Sequence, residues 1–265
     1  MSRVVKKIIG LLERILLFFV PFRHGIYVVN YHGTPESVKH LFEQHLDFYN
    51  KHFRLLDPET FEAICAGRSQ ISSKPMLLLT FDDGMRNNIS ALELLSKHQI
   101  LAYFFVVPNY IDAGKKETYL SDIIRPGFVN TLEKFPEDFL PMGWNDLEKL
   151  HKIGHRIGSH TMSHTLRKED DAIKSAVEII NSKKAIEQKL GIQVPYFCSI
   201  NNTALSVGKL QEEMIDATYD FHFTTYYGLN QPAPDPKRIQ RINVESYWSL
   251  SEVCFSLGRI RTLLN

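Results

Sequence analysis

The sequence has little cysteine: three in 265 residues. Cys65, Cys198 and Cys254 lie far apart and form no C-x-x-C pair. That excludes a disulfide framework and removes zinc-knuckle and dithiol-redox readings, leaving free thiols, buried as cysteine usually is. An excess of charge is also lacking. Against 31 Lys+Arg stand 30 Asp+Glu, a net charge of +1, so no global field favours nucleic acid or a strongly anionic polymer. No repeat, low-complexity tract or linker breaks the chain, and no glycine-rich phosphate cradle is present. A spanning helix needs about 20 apolar residues, and the apolar run from Ile15 to Phe22 falls far short.

What is present is enough apolar material, 44% of residues, for one large α/β domain. Residues 1–22 form a segment of their own. Arg3, Lys6, Lys7, Gly10, Glu13 and Arg14 recur at three- and four-residue steps, so Val4, Ile8, Leu11, Leu12 and Ile15 share the opposite face. This is an amphipathic helix with a basic polar side. Two uses are open to it: lying in a membrane interface beside anionic lipid, or packing its apolar face on the protein body. Glu13 and Arg14 interrupt the apolar stretch and no small-residue cleavage site follows, so a secretory leader is not expected. The expected location is cytoplasmic, with peripheral contact at the inner membrane as the alternative.

Beyond Pro21, short apolar runs alternate with helix-like stretches, the rhythm of β/α units around a parallel sheet. Strands are expected at 26–31, 76–81, 101–107, 155–160, 196–198 and 221–225. Helices are expected at 38–53, from Asp57 onward, and at 85–98, 144–153, 172–190 and 207–217. Residues 109–141 lack a clean period and read as an insertion at the rim of a site.

Two elements carry chemistry. In Thr80-Phe81-Asp82-Asp83-Gly84, two carboxylates stand where a buried strand opens into a loop, the usual place for a site in α/β folds. Adjacent strand residues point to opposite faces, so both reach one centre only through a bend, which Gly84 can supply. The bland alternative is a turn cap. In His160-Thr161-Met162-Ser163-His164, two imidazoles lie four residues apart. On a helix or helical turn they would share a face and a metal; otherwise they are two hydrogen-bonding loop histidines.

Together, in this order, the two motifs resemble those of the polysaccharide deacetylases, carbohydrate esterase family 4. The resemblance extends through Tyr31-His32, Phe104-Phe105 and the stretch from Trp144 to Gly158. Arg241-Ile242-Asn243-Val244 suggests the branch acting on poly-N-acetylglucosamine and other surface glycans. It implies a distorted (β/α) barrel over residues 23–265 and hydrolysis of an N-acetyl group on an amino-sugar glycan or precursor. One divalent metal, most suitably zinc, would be held by Asp83, His160 and His164, with Asp82 as catalytic base. The alternative is a catalytically impaired relative that binds glycan.

Two departures from the family pattern bear on the site. No histidine follows His222, so the family's late histidine acid is missing, and His32 and His222 become the candidates to protonate the leaving amine. The family's third motif corresponds to Phe197-Cys198-Ser199-Ile200-Asn201-Asn202, without its Pro and Gly; Asn can partly replace Gly in left-handed backbone. Trp144 is the candidate for stacking on a sugar ring, or else a core residue.

Overall fold

Runs that are apolar at nearly every position become strands covered on both faces. The strands β1 (Ile26–Tyr31) and β3 (Met76–Phe81) are buried throughout and pair in parallel, from Ile26 opposite Met76 to Tyr31 opposite Phe81. The computed structural model describes residues 2–16, 22–69, 72–114 and 140–258. Its other strands are β2 (Arg54–Leu55), β4 (Tyr103–Val106), β5 (Arg156–Ser159), β6 (Tyr196–Cys198), β7 (Phe221–Phe223) and β8 (Ile242–Asn243). The order is β7-β6-β5-β4-β3-β1-β8, with β2 also on β3, and every ladder is parallel. Ile239 bridges to Phe223 while β8 pairs with β1, so residues 239–243 join the two edges of the sheet. The sheet therefore curls into the expected distorted (β/α) barrel, a single domain.

The two-residue period of each strand divides the core. Ile26, Val28, Met76, Leu78, Tyr103, Phe105, Tyr196, Cys198 and Phe223 form one cluster, the barrel interior. Tyr27, Val29, Leu77, Leu79, Phe104, Ile157 and Phe197 form the other, beneath the helices. Helix α1 spans Arg3–Leu16, α2 Lys39–His52, and α3 Pro58–Cys65. Asp57 caps α3 by accepting from the Thr60 amide at 2.7 Å. Phe61 and Ile64 of α3 join the interior, and Glu62 accepts from Tyr103, Tyr196 and Arg156, each the first residue of its strand. The N-terminal end of the barrel is thus plugged, which leaves the C-terminal end for a site.

Later helices are α4 (Leu92–Lys97), α5 (Pro108–Ala113), α6 (Trp144–Ile153), α7 (Ala172–Ala176), α8 (Ser182–Leu190), α9 (Thr203–Ser206), α10 (Lys209–Thr218) and α11 (Leu250–Leu257). Two sequence expectations need correction, and one of two readings left open for α1 does not hold. The 85–98 segment opens as a 3-10 helix, Arg86–Ala91, because Asn87 and Asn88 turn back to bond Thr34 and the His32 carbonyl. The 172–190 segment is helical but carries a π-helical turn, Val177–Asn181, between α7 and α8. Helix α1 does not pack its apolar face on the body: Gly10 lies against α11, and Val4, Ile8, Leu11, Leu12 and Ile15 face outward. Of the 109–141 insertion, residues 115–139 lie outside the described residues. All three cysteines are free, two of them buried and Cys65 half-buried.

Gly158 sits where β5 crosses the interior, and a Cβ there would come within 2.5 Å of the Phe105 ring and 3.1 Å of Tyr196 Cβ. Gly158→Ala is expected to cost about 1–3 kcal/mol through overpacking, read as a lower urea midpoint with an unchanged slope. An unchanged midpoint would show that the interior has slack that these distances deny.

Candidate active site

Continuing the interior parity past the strand ends brings Asn30, Thr80, Asp82, His160, Cys198 and Arg241 to the open C-terminal end of the barrel. Asp82 and Asp83 follow β3, and the bend that separates them has two left-handed residues, Asp83 at φ 71° and Gly84 at φ 78°. The glycine was foreseeable. The aspartate is the less expected one, since a side chain with Cβ adopts this region at a cost.

His160 follows β5. The two histidines are not on a helix: the segment is a loop in which Thr161 (φ 66°) and His164 (φ 61°) are both left-handed. Those two residues reverse the chain and return His164 beside His160, with ring centroids 5.1 Å apart. The Thr161 hydroxyl accepts from the His164 amide at 2.9 Å. Glu178, in the π-helical turn, accepts from the Ser163 amide at 3.0 Å and from the Ser163 hydroxyl, while its backbone carbonyl takes the Met162 amide. The extra residue of the π turn and the brace it provides were invisible in the helical periodicity of 172–190.

His160 Nε2 and His164 Nε2 lie 3.5 and 3.6 Å from Asp83 Oδ1, and all three side chains are buried. Two ligands each about 2.1 Å from a tetrahedral ion are about 3.4 Å apart, so these separations suit three donors around one cation. The donor chemistry agrees. His160 Nδ1 bonds the Cys198 carbonyl at 3.0 Å, which turns Nε2 toward Asp83. Burial pushes the His160 pKa down to about 4, keeping the imidazole neutral as ligation requires. A second donor set, Asp82, His160 and Cys198, overlaps the first. It is the poorer one, because burial holds the Cys198 thiol well above its ordinary pKa and Asp82 is engaged elsewhere.

That engagement is with Arg241. Its Nη1 donates to Asp82 Oδ1 at 2.7 Å and its Nε to the Thr224 carbonyl at 2.9 Å, with both side chains almost fully buried. Burial alone would raise the Asp82 pKa; the Arg241 charge, His160 and the Arg241 hydrogen bond outweigh it and hold the carboxyl well below the ordinary range. Oδ1 is thus occupied, while Oδ2 retains lone pairs beyond a long 3.5 Å contact from Asn30. Sequence reasoning noted Arg241 as a marker of the branch and missed it as a site residue; its place between Ile239 and Ile242 was the available signal.

His32, after β1, borders the site: its charge acts on Asp82, and its Nδ1 lies 3.8 Å from Glu245 Oε1. Glu245 was not foreseen. His222 is buried in β7 with Nε2 2.7 Å from Ser199 Oγ, and burial lowers its pKa to about 3, which fits a structural histidine. Trp144 packs against the hydrophobic core, donates Nε1 to Asp112 at 2.7 Å and carries the Lys189 ammonium 5.6 Å over its ring. In the third-motif loop, Asn201 is left-handed at φ 47°, the substitution for glycine expected there.

Solved structures share this barrel. A deacetylase of Streptococcus pyogenes, PplD in complex with acetate, is 16% identical, covers 91% of this chain and 100% of its own, and superposes with a TM-score of 0.66. IcaB of Ammonifex degensii is 21% identical over 89% and 99% of the chains (TM-score 0.64), and the BpsB deacetylase domain of Bordetella bronchiseptica 18% over 85% and 98% (TM-score 0.64). No curated protein matches the sequence. The polysaccharide deacetylase family model matches residues 69–209, more than half the chain. The protein belongs to the polysaccharide deacetylase family, whose chemistry is hydrolysis of acetyl groups on carbohydrates.

Arg241→Met strands the Asp82 charge in the interior and is expected to cost about 3–5 kcal/mol at neutral pH. Asp82, with its depressed pKa, contributes stability above the unfolded carboxylate value of about 3.9, and this is lost as pH falls through the folded value. The deficit of Arg241→Met in urea unfolding should therefore shrink below about pH 4, and should also be smaller on an Asp82→Asn background. A deficit indifferent to both would contradict the ion-pair account.

Proposed function

We propose that the protein is a metal-dependent deacetylase that hydrolyses the N-acetyl group of an amino-sugar glycan or glycan precursor, with zinc as its metal. The observation that carries this reading is a three-donor cluster, Asp83, His160 and His164, beside a second carboxylate, Asp82, that lies outside the cluster and is kept ionised by Arg241. Two imidazoles and one carboxylate suit zinc while leaving room for water and a substrate oxygen. When bound, such a cation polarises an acetyl carbonyl and lowers the pKa of a water to about 7.

The chain's own groups would supply the proton transfers. Asp82 Oδ2 takes a proton from the attacking water as its oxygen bonds to the acetyl carbon. The C–N bond then breaks, and the amine leaves with a proton from His32, replacing the family's missing late histidine. Glu245 Oε1 lies 3.8 Å from His32 Nδ1, which sets a carboxylate beside the proposed donor. The products are acetate and a free amino sugar.

Acetate release should be measured on a panel of N-acetylglucosamine oligomers and N-acetylated sugar conjugates, with zinc supplied or chelated. Release is expected with zinc and not with chelator. Asp82→Asn should lower kcat by about 10²–10⁴ with bound zinc retained, His160→Ala should lose the zinc itself, and His32→Ala should lower kcat and abolish the alkaline limb of the pH profile. Stoichiometric zinc with no acetate from any substrate would overturn the enzymatic reading and favour a glycan-binding protein.

A further inference from the structure

Helix α1 is mounted the wrong way round for a helix whose purpose is to complete a core. An amphipathic helix on a soluble protein normally turns its apolar stripe inward. Here the inward side is the polar one. Gly10 packs so closely on α11 that a Cβ would lie 1.6 Å from the Ser251 carbonyl oxygen. Arg3 pairs with Glu252 at 2.5 Å and lies 5.8 Å over the Tyr247 ring, and the Lys6 ammonium lies 6.0 Å over the ring of Trp248. These contacts fix the helix by its basic edge and by its one glycine.

The outward side consists of Val4, Ile8, Leu11, Leu12 and Ile15, each more than half exposed. Their spacing of four, three, one and three residues makes one continuous stripe along the 14-residue helix. Exposed apolar side chains scattered singly are ordinary, but a rimmed contiguous stripe is the mark of an interaction surface. Lys7 and Arg14, both exposed and seven residues apart, lie along one edge of it, with Arg3, held by Glu252, on the same side. Apolar residues beside a row of cations match the acyl boundary and the anionic headgroups of a lipid surface. No helix among the described residues is long and apolar enough to cross a membrane.

We propose that α1 is an interfacial anchor that docks the protein on an anionic lipid bilayer, apolar stripe inserted and helix axis parallel to the surface. The seat of the helix is continuous with the site. Glu245, facing His32, is followed by Ser246, which donates to the Gly33 carbonyl at 2.7 Å, and then by Tyr247 and Trp248, on which α1 rests. Docking through α1 holds the rim of the site beside the bilayer.

The test is co-sedimentation of the full chain with vesicles of phosphatidylcholine alone or mixed with phosphatidylglycerol, at low and high salt. The wild type should partition onto the mixed vesicles, less at high salt. Leu11→Glu with Leu12→Glu should lower that partition roughly a hundredfold, and Lys7→Glu with Arg14→Glu should abolish the preference for phosphatidylglycerol. Unaltered circular dichroism and melting temperature in both double variants would show that the fold survives. Wild type left in the supernatant, or variants that sediment with it equally, would overturn the proposal. So would a wild-type dimer that Leu11→Glu with Leu12→Glu turns into a monomer without any vesicle binding, since the stripe would then be a contact between copies.

Discussion

The buried ion pair between Asp82 and Arg241 is the interaction on which the open end of the barrel depends. Asp82 follows β3, an inner strand of the sheet, and Arg241 lies in the segment that joins the two sheet edges, so one 2.7 Å bond ties barrel closure to the site. Neither charge is tolerable there alone. Paired, they keep a carboxylate ionised in the interior while committing only one of its oxygens. The same contact therefore serves architecture and chemistry.

The neighbouring donor cluster is made by backbone geometry that helices and strands do not offer. Asp83, Thr161 and His164 all occupy the left-handed region with side chains attached. Such residues persist where their surroundings over-determine them. The surroundings here are the Thr161 hydroxyl, the Glu178 carboxylate and the Cys198 carbonyl, contributed by the loop itself, the π-helical turn and β6. Together they fix two imidazoles against one carboxylate at separations suited to a cation.

Much of the fold was legible because apolar periodicity is a local property. The runs at Ile26–Tyr31 and Met76–Phe81 and the helix at Trp144–Ile153 occur where the pattern put them, since a doubly buried strand and a one-sided helix each need a distinctive arrangement of apolar residues. The two-residue strands β2 and β8 were not legible, being too short to carry a period. The π turn escaped because one added residue hardly disturbs a helical stripe. The orientation of α1 stayed open between two readings because amphipathicity states that a helix has two faces and not which one the protein covers.

The sequence by itself determined the inventory: strands buried on both faces, two motifs at strand ends, a basic amphipathic helix at the start, and too little cysteine and net charge for other chemistries. Tertiary structure decided the pairings. Arg241 lies 159 residues from Asp82, Glu245 lies 213 from His32, and Gly10 meets Ser251 across nearly the whole chain. Contacts of that range arise from the curl of the sheet and the order of its strands. Local propensity is blind to both, because it reads only what a residue's immediate neighbours in the chain require.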